Sequence, residues 1–166
     1  MPLLLIQHPA EAKHSKNTAD FLHACLAHSH LWVAETLNNS QCEALQQLPN
    51  PWLLYPHHPQ LPAVPEPAKP PGCLVVIDAT WRKSRKMLYL NPQLAHLPRL
   101  SFDAPGPSRY HIRRRPQPHH LSTFEASCYA LAQLEEAPER YRPALTAFTR
   151  YLQQWAARVP PHNHNL

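Results

Sequence analysis

The chain is poor in glycine and rich in proline, and this balance limits the ways in which it could bind a nucleotide. It contains two glycines, Gly72 and Gly106, against 21 prolines among 166 residues. The G-x-G-x-x-G turn and the P-loop both need several glycines, because only glycine lets the backbone approach a phosphate closely. Two isolated glycines build neither motif, which also disfavours the glycine-rich first turn of Rossmann-type methyltransferases. A nucleoside ligand would need another architecture.

The length and apolar content of the chain fit one domain over residues 1–166. Hydrophobic residues make up 43% of the sequence, which is enough for a sizeable core. No run approaches the roughly 18 apolar residues that a membrane-spanning helix needs. Residues 1–7 lack the basic start and the cleavage site of a leader peptide. We expect a cytoplasmic protein without a membrane partner, and a monomer is favoured.

The spacing of the potential metal ligands predicts no metal site. The four cysteines are far apart and form no C-x-x-C pair, so reduced thiols are expected in place of a zinc ribbon or a disulfide framework. None of the 13 histidines forms a helical i, i+4 pair around a carboxylate.

Short β-favouring runs alternate with helical patterns along the chain. The runs cover residues 3–7, 31–34, 52–55 and 74–78, with a weaker one at 100–102. Helices are predicted from Asn17 or Thr18 to about Ala27, from a Ser40 cap to Leu48, and from near Thr80. This alternation predicts an α/β fold with a mainly parallel sheet flanked by helices.

Two further helices are predicted towards the C-terminus. Ser122 stands three residues before Glu125, which is the capping-box pattern in which two side chains satisfy each other's backbone amides. An apolar stripe follows at helical spacing, and a last helix is predicted over residues 139–157.

The ends of the predicted strands indicate where a site would lie. In open parallel sheets, ligands bind beyond the carboxyl ends of the strands. Three such junctions, after Gln7, Tyr55 and Asp78, carry unusual residues. We therefore expect any site at these junctions.

The positive charge of the chain is concentrated in one segment. Residues 79–124 contain nine Lys/Arg and one acid, a net charge of +8, whereas the rest of the chain is at −3. Such a concentration is typical of a protein that binds a phosphate backbone. A solvated basic surface without a partner is the alternative.

The strand that ends in Asp78 leads into the first group of residues with possible chemistry. A carboxylate at the end of a buried strand is partly desolvated, which suits a general base. Thr80 and Trp81 follow, and residues 82–86 supply four cations that would raise the local concentration of anions. The alternative is structural, with Asp78 or Thr80 capping a helix and Trp81 packed in the core.

A second group, residues 108–116, places Tyr110 and His111 among four arginines. This mixture suits RNA, because rings and guanidinium planes stack on bases while the charges meet phosphates. The alternative is a basic surface loop.

Several motifs, taken in their order along the chain, resemble those of the DTW-domain family. Asp78-x-Thr80-Trp81 resembles the signature that names the family. The other elements are Gln7-His8-Pro9, Asn17-Thr18, Tyr55-Pro56, Lys86-Met87, Asn91-Pro92, Tyr110-x-x-Arg113 with Pro116, and Leu121-Ser122-Thr123-x-Glu125-Ala126. Together they cover about residues 3–130.

The resemblance implies a fold related to the SPOUT class, in which a C-terminal trefoil knot forms the cofactor pocket. It implies a tRNA-uridine aminocarboxypropyltransferase, which transfers the 3-amino-3-carboxypropyl group of S-adenosylmethionine to N3 of uridine and releases methylthioadenosine. The expected partner is tRNA and not DNA. We expect this chain to lack the N-terminal zinc-binding segment of many family members, so no zinc role is carried over.

Three sets of residues are assigned to this expected reaction. The catalytic set is Asp78, which would orient or remove the N3 proton, with Thr80 and Trp81. Contacts to adenosylmethionine are expected from Leu54, Tyr55, Pro56, Ile77, Leu121, Ser122, Thr123 and Glu125, with its carboxylate at the helix amide end near Ser122. RNA contacts are expected from Arg82, Lys83, Lys86, Arg109, Tyr110, Arg113 and Arg115.

Three alternatives stay open. A SPOUT-class RNA methyltransferase would use the same pocket but present the methyl carbon. An aminocarboxypropyltransferase could modify ribosomal RNA instead of tRNA. A non-catalytic RNA-binding module would have lost the cofactor.

Overall fold

Five short strands form a single parallel sheet in the computed structural model, which describes residues 1–13, 17–64, 68–101 and 121–158. The strands are β1 (Leu3–Gln7), β2 (Ser29–Val33), β3 (Pro51–Leu54), β4 (Cys73–Asp78) and β5 (Arg99–Leu100). Their order across the sheet is β2-β1-β4-β3-β5. Every residue of the adjacent strands β1 and β4 is buried, as expected for inner strands of a parallel sheet that is covered on both faces.

The chain divides into two compact units, Met1–Asp103 and Ala104–Leu166. Among the described residues of the first unit lie the five strands of the sheet and five helices. These are α1 (Pro9–Ala12), α2 (Thr18–Cys25), α3 (Asn39–Gln47), α4 (Trp81–Leu90) and α5 (Pro92–Ala95). The predicted α/β fold with a parallel sheet flanked by helices is confirmed. The prediction of a single domain over residues 1–166 stays a prediction.

Side-chain caps explain where three of these helices begin. Asn17 caps α2, and Thr80 caps α4, because their side-chain oxygens accept bonds from backbone amides that the helix leaves unpaired. The predicted Ser40 cap of α3 is wrong. Asn38 is the cap, and it forms a capping box with Gln41, so that α3 begins one residue before Ser40.

One face of the sheet is covered by α3, α4 and α5. Leu4, Ile6, Val75 and Ile77 alternate with residues that face the other way, and they belong to one buried cluster. The three helices contribute Leu45, Met87, Leu88, Leu94 and Ala95 to the same cluster. Each fully buried aliphatic side chain stabilises the fold by roughly 1.5–3 kcal/mol, so this cluster fixes the position of α4 on the sheet.

Gly72 is needed where two loops come close together before β4. A Cβ atom placed there would lie 2.5 Å from the carbonyl oxygen of Pro49, a separation that only glycine avoids. The amide of Gly72 donates to Asn50 O at 3.1 Å, and Asn50 Nδ2 donates to Lys69 O and Pro70 O. These bonds join the two loops ahead of the neighbouring strands β3 and β4.

Within its described residues, 121–158, the second unit contains two packed helices, α6 (Thr123–Leu134) and α7 (Pro138–Arg158). The predicted capping box of Ser122 and Glu125 is confirmed at the start of α6. The stacked rings of Phe124 and Phe148, with centroids 4.2 Å apart, join the two helices. The last helix was predicted over residues 139–157 and is present with one more residue at each end.

The expected trefoil knot depends on the chain between β5 and α6. Residues 102–120 form this connection and lie outside the described residues. The knot therefore stays a prediction, as does the third residue of the last predicted strand, Phe102.

Candidate active site

The carboxyl ends of β1 and β4 mark the point where the strand order of the sheet reverses. The chain leaves β1 towards β2 on one side, and it leaves β4 towards β5 on the other side. Gln7 and Asp78, the last residues of these strands, stand opposite each other in the register. Ligands of open parallel sheets bind at such a reversal. We therefore expect a ligand beside Gln7 and Asp78, and we call this place the crevice.

Asp78 is held by a buried amide at this reversal. Its side chain is 9% exposed, and Gln7 Nε2 donates a hydrogen bond of 2.8 Å to Asp78 Oδ2. Gln7 Nε2 also lies 2.7 Å from Asn17 Oδ1, and Asn17 caps α2 by accepting from the amide of Asp20. One carboxylate oxygen is therefore fixed by a chain of polar side chains, while Oδ1 accepts no hydrogen bond from the described residues.

Thr80 and Trp81 have different roles at the start of α4. Thr80 Oγ1 accepts a bond of 3.4 Å from the amide of Lys83, so the alternative that Thr80 caps a helix is confirmed. Trp81 is 46% exposed, and the alternative that it packs in the core is wrong. Its ring packs against Tyr55 in a T-shaped arrangement, with the ring centroids 5.5 Å apart.

Tyr55 ties the end of β3 to α4. Its side chain is 6% exposed, and its hydroxyl lies 2.8 Å from Ser84 Oγ. Burial raises the pKa of Tyr55, so this phenol stays neutral at physiological pH. Of the other residues assigned to the cofactor, Leu54 is half-buried, Pro56 is exposed, and Ile77 is buried at the end of β4.

Two of the three cations expected to bind RNA on α4 already have carboxylate partners. Lys83 Nζ lies 2.9 Å from Glu11, a side chain that is only 5% exposed. Lys86 Nζ lies 2.8 Å from Glu35. Arg82 and its neighbour Arg85 are exposed and form no ion pair with a residue that the structure describes.

Glu35 was not singled out in the sequence, although it follows β2 as Asp78 ends β4. Hydrogen bonds from Lys86 and, at 3.3 Å, from His8 hold the pKa of Glu35 below its ordinary value. Asn91, which is 1% exposed, donates to the carbonyl oxygen of Glu35 and accepts from the amide of Leu37. The signal that could have found Glu35 is its position beyond a strand end.

The remaining predicted residues lie elsewhere in the chain. Leu121, Ser122, Thr123 and Glu125 belong to the second unit. There, Glu125 Oε2 accepts from the amide and the hydroxyl of Ser122, at 3.1 and 2.8 Å. The amide end that was expected to receive the cofactor carboxylate thus already holds a carboxylate. Arg109, Tyr110, Arg113 and Arg115 lie outside the described residues.

Among the residues that the structure describes, no group of three or more His, Cys, Asp or Glu side chains could hold a metal ion. No helix within the same residues is long and apolar enough to cross a membrane.

Comparison with known proteins gives a family. The DTW domain matches residues 1–156. A Drosophila melanogaster protein named tRNA-uridine aminocarboxypropyltransferase 2 is 31% identical over 144 residues, which are 82% of this chain and 57% of that protein. The Macaca fascicularis protein of the same name is 26% identical over 142 residues, 81% of this chain and 48% of its own length.

The chain spans about half the length of these two relatives. No solved structure matches it significantly. Because the domain match covers nearly the whole sequence, the chain belongs to the DTW-domain family.

Proposed function

We propose that this protein is a tRNA-uridine aminocarboxypropyltransferase, which modifies N3 of a uridine with the 3-amino-3-carboxypropyl group of S-adenosylmethionine. The observation that carries the proposal is Asp78, a nearly buried carboxylate at the strand reversal, held by Gln7. The two relatives whose names state this activity support it.

The residues around the crevice suit adenosylmethionine. This molecule carries no phosphate, so the scarcity of glycine is no obstacle to its binding. Leu54 and Pro56 at the end of β3 offer apolar surface for an adenine ring. Ile77, also assigned to the cofactor, is buried in the cluster beneath α3, α4 and α5. When bound, the sulfonium supplies an electrophilic carbon and a neutral thioether as the leaving group.

Asp78 would act as the general base. N3 of uridine carries a proton, and its anion is the better nucleophile. The Asp78 carboxylate takes this proton, N3 forms a bond to the Cγ carbon, and the bond between that carbon and sulfur breaks. Gln7 occupies Oδ2, which leaves Oδ1 as the oxygen that receives the proton.

The exposed part of Trp81 would stack on the target base, and cations would bind the tRNA phosphates. Trp81 begins α4 three residues after Asp78, the last residue of β4. Arg82 would bind a phosphate directly. Lys83 and Lys86 would bind one less strongly, because they already form ion pairs with Glu11 and Glu35. Arg109, Tyr110, Arg113 and Arg115 are also assigned to tRNA binding, on the sequence alone.

The identity of the products tests the proposal. Purified protein, unmodified tRNA and adenosylmethionine labelled in the aminocarboxypropyl group should give labelled tRNA uridine and free methylthioadenosine. Release of adenosylhomocysteine would assign a methyltransferase instead. Transfer to ribosomal RNA but not to tRNA would change the substrate, and absence of adenosylmethionine binding by calorimetry would indicate a non-catalytic module.

A further inference from the structure

Two aromatic residues and an arginine at helical spacing form a stripe on α4. Trp81, Arg85 and Tyr89 follow each other at intervals of four residues, which places them along the same side of the helix. All three face solvent, with Trp81 at 46% and Tyr89 at 84% exposure. We call these residues the α4 stripe. At about 1.5 Å per residue it runs for about 12 Å.

A cavity of about 410 Å³ opens at the far end of the α4 stripe. Arg85 and Tyr89 line it together with Leu88, Pro62, His58 and His96. None of its lining residues belongs to the crevice at Gln7 and Asp78. The stripe therefore begins beside the candidate active site and ends in a separate pocket on the same unit.

The charges of α4 distinguish this side of the helix from the rest. Lys83 and Lys86 are paired with Glu11 and Glu35. Arg85 has no carboxylate partner in the part of the chain that the structure describes. An unpaired guanidinium between two exposed rings offers planar stacking surface and a positive charge together, which is the combination that single-stranded nucleic acid requires.

We propose that the α4 stripe and its cavity bind the single-stranded nucleotides that flank the target uridine. This inference rests on the proposed function in one respect, namely that the substrate is RNA. Stacked nucleotides are about 3.4 Å apart, so a stripe of about 12 Å spans about three steps. A base stacks on Tyr89 at the mouth of the cavity, and Arg85 binds the phosphate that precedes or follows it.

Oligonucleotides of increasing length test the stripe directly. Affinity for fluorescein-labelled oligouridylates, measured by anisotropy, should rise from one to three to six nucleotides. Tyr89→Ala should weaken hexauridylate binding about 5- to 150-fold, the range of one lost stacking contact, and Arg85→Gln should weaken it through the loss of a phosphate contact. Tyr89→Phe should retain affinity, and Arg85→Lys should fall between wild type and Arg85→Gln because it keeps the charge but not the plane.

The matched control removes the same charge elsewhere. Arg150 is exposed on α7, and Arg150→Gln should change hexauridylate affinity less than twofold. All variants should melt within a few degrees of wild type, because each side chain is exposed. Photocrosslinking of 4-thiouridine in the hexamer should label the peptide that contains Tyr89. Unchanged hexauridylate affinity in Tyr89→Ala, or stronger binding of a decaproline peptide than of hexauridylate, would overturn the inference.

Its failure is distinguishable from failure of the proposed reaction. Asp78→Asn should keep the binding of hexauridylate while losing transfer. Transfer with full activity in Tyr89→Ala and Arg85→Gln would overturn the stripe and leave the reaction intact. Loss of oligonucleotide affinity in both variants, in a protein that transfers nothing to tRNA, would support the stripe and overturn the reaction.

Discussion

At the scale of single residues, the pair of Gln7 and Asp78 sets the chemistry of the crevice. A carboxylate that is 9% exposed pays a desolvation penalty unless a donor compensates it. The amide of Gln7, itself 1% exposed, supplies that donor. Because the amide is neutral and cannot move its proton to the carboxylate, it orients Asp78 without neutralising it.

Asp78→Asn should lower the rate of transfer about 100-fold or more, since a positioned general base contributes about 10²–10⁴. The asparagine oxygen still accepts from Gln7, so the melting temperature and adenosylmethionine affinity should stay near wild type. Single-turnover transfer to tRNA measures the effect. Glu43→Gln, an exposed change on α3, is the control, and wild-type transfer by Asp78→Asn would remove Asp78 as the base.

Glu35 gives a prediction about pH. Its pKa is lowered in the folded protein, first by the hydrogen bond from Lys86 and then by that from His8. The stability that it contributes is therefore complete above the ordinary carboxyl pKa and is lost as the pH falls through the lowered value. Lys86→Gln should cost stability at pH 7 and cost almost nothing well below about pH 4.

Urea denaturation at the two pH values and an NMR titration of Glu35 measure this effect. In Lys86→Gln the pKa of Glu35 should move up towards its ordinary value. Arg82→Gln removes the same charge from the same helix without breaking a described ion pair, so it should leave that pKa nearly unchanged. An identical titration of Glu35 in wild type and Lys86→Gln would contradict the assignment.

At the scale of elements, helix starts are set by individual polar side chains. The capping box of Asn38 and Gln41 has bonds of 2.8 and 3.0 Å in its two directions. Asn38, Asn39 and Ser40 are three polar residues in a row, and Ser40 was predicted as the cap because serine is a favoured residue at that position. The structure shows that the first of the three takes the extended backbone conformation that a cap requires.

Asn38→Ala should therefore destabilise the fold by about 1 kcal/mol, the usual loss for a removed cap. Ser40→Ala should change the free energy of unfolding by less than about 0.5 kcal/mol. Urea denaturation of both variants measures the difference. The reverse order of effects would restore Ser40 as the cap.

Strands and helices were predicted best where the signal was local. β1 was predicted with its observed bounds, and the inner strand β4 was one residue longer than predicted, because a continuous apolar run identifies an inner strand of a parallel sheet. β2 is shifted, beginning at Ser29 in place of Leu31. Its bounds follow from pairing with β1, in which Ser29 stands opposite Leu3.

At the scale of the whole molecule, charge is distributed unequally. Residues 79–124 have a net charge of +8 in a chain whose total is +5. Within this segment, Lys83 and Lys86 of α4 form ion pairs with carboxylates from α1 and from the loop after β2. The contribution of the segment to phosphate binding is therefore smaller than its composition indicates, and the arginines at 109–115 should carry a large share of it.

Replacement of both Arg113 and Arg115 by Gln should weaken tRNA binding and reduce its dependence on salt. Each lost phosphate contact lowers the slope of log affinity against log salt by about 0.7–0.9, so the double variant should lose about 1.4–1.8. Filter binding between 50 and 200 mM salt measures the slope. The pair Arg150→Gln and Arg158→Gln, exposed on α7, should leave it unchanged, and an unaltered slope in the first pair would exclude those arginines from the interface.

The sequence by itself determined the class of fold, the main strands, the Ser122 cap of α6 and the family. These depend on signals that act within a few residues: apolar periodicity, caps and short motifs. Tertiary structure alone decided that Gln7 binds Asp78, 71 residues away, and that Lys83 binds Glu11, 72 residues away. The reason is physical: such contacts depend on which strands become neighbours, and packing of the whole sheet against its helices sets that order.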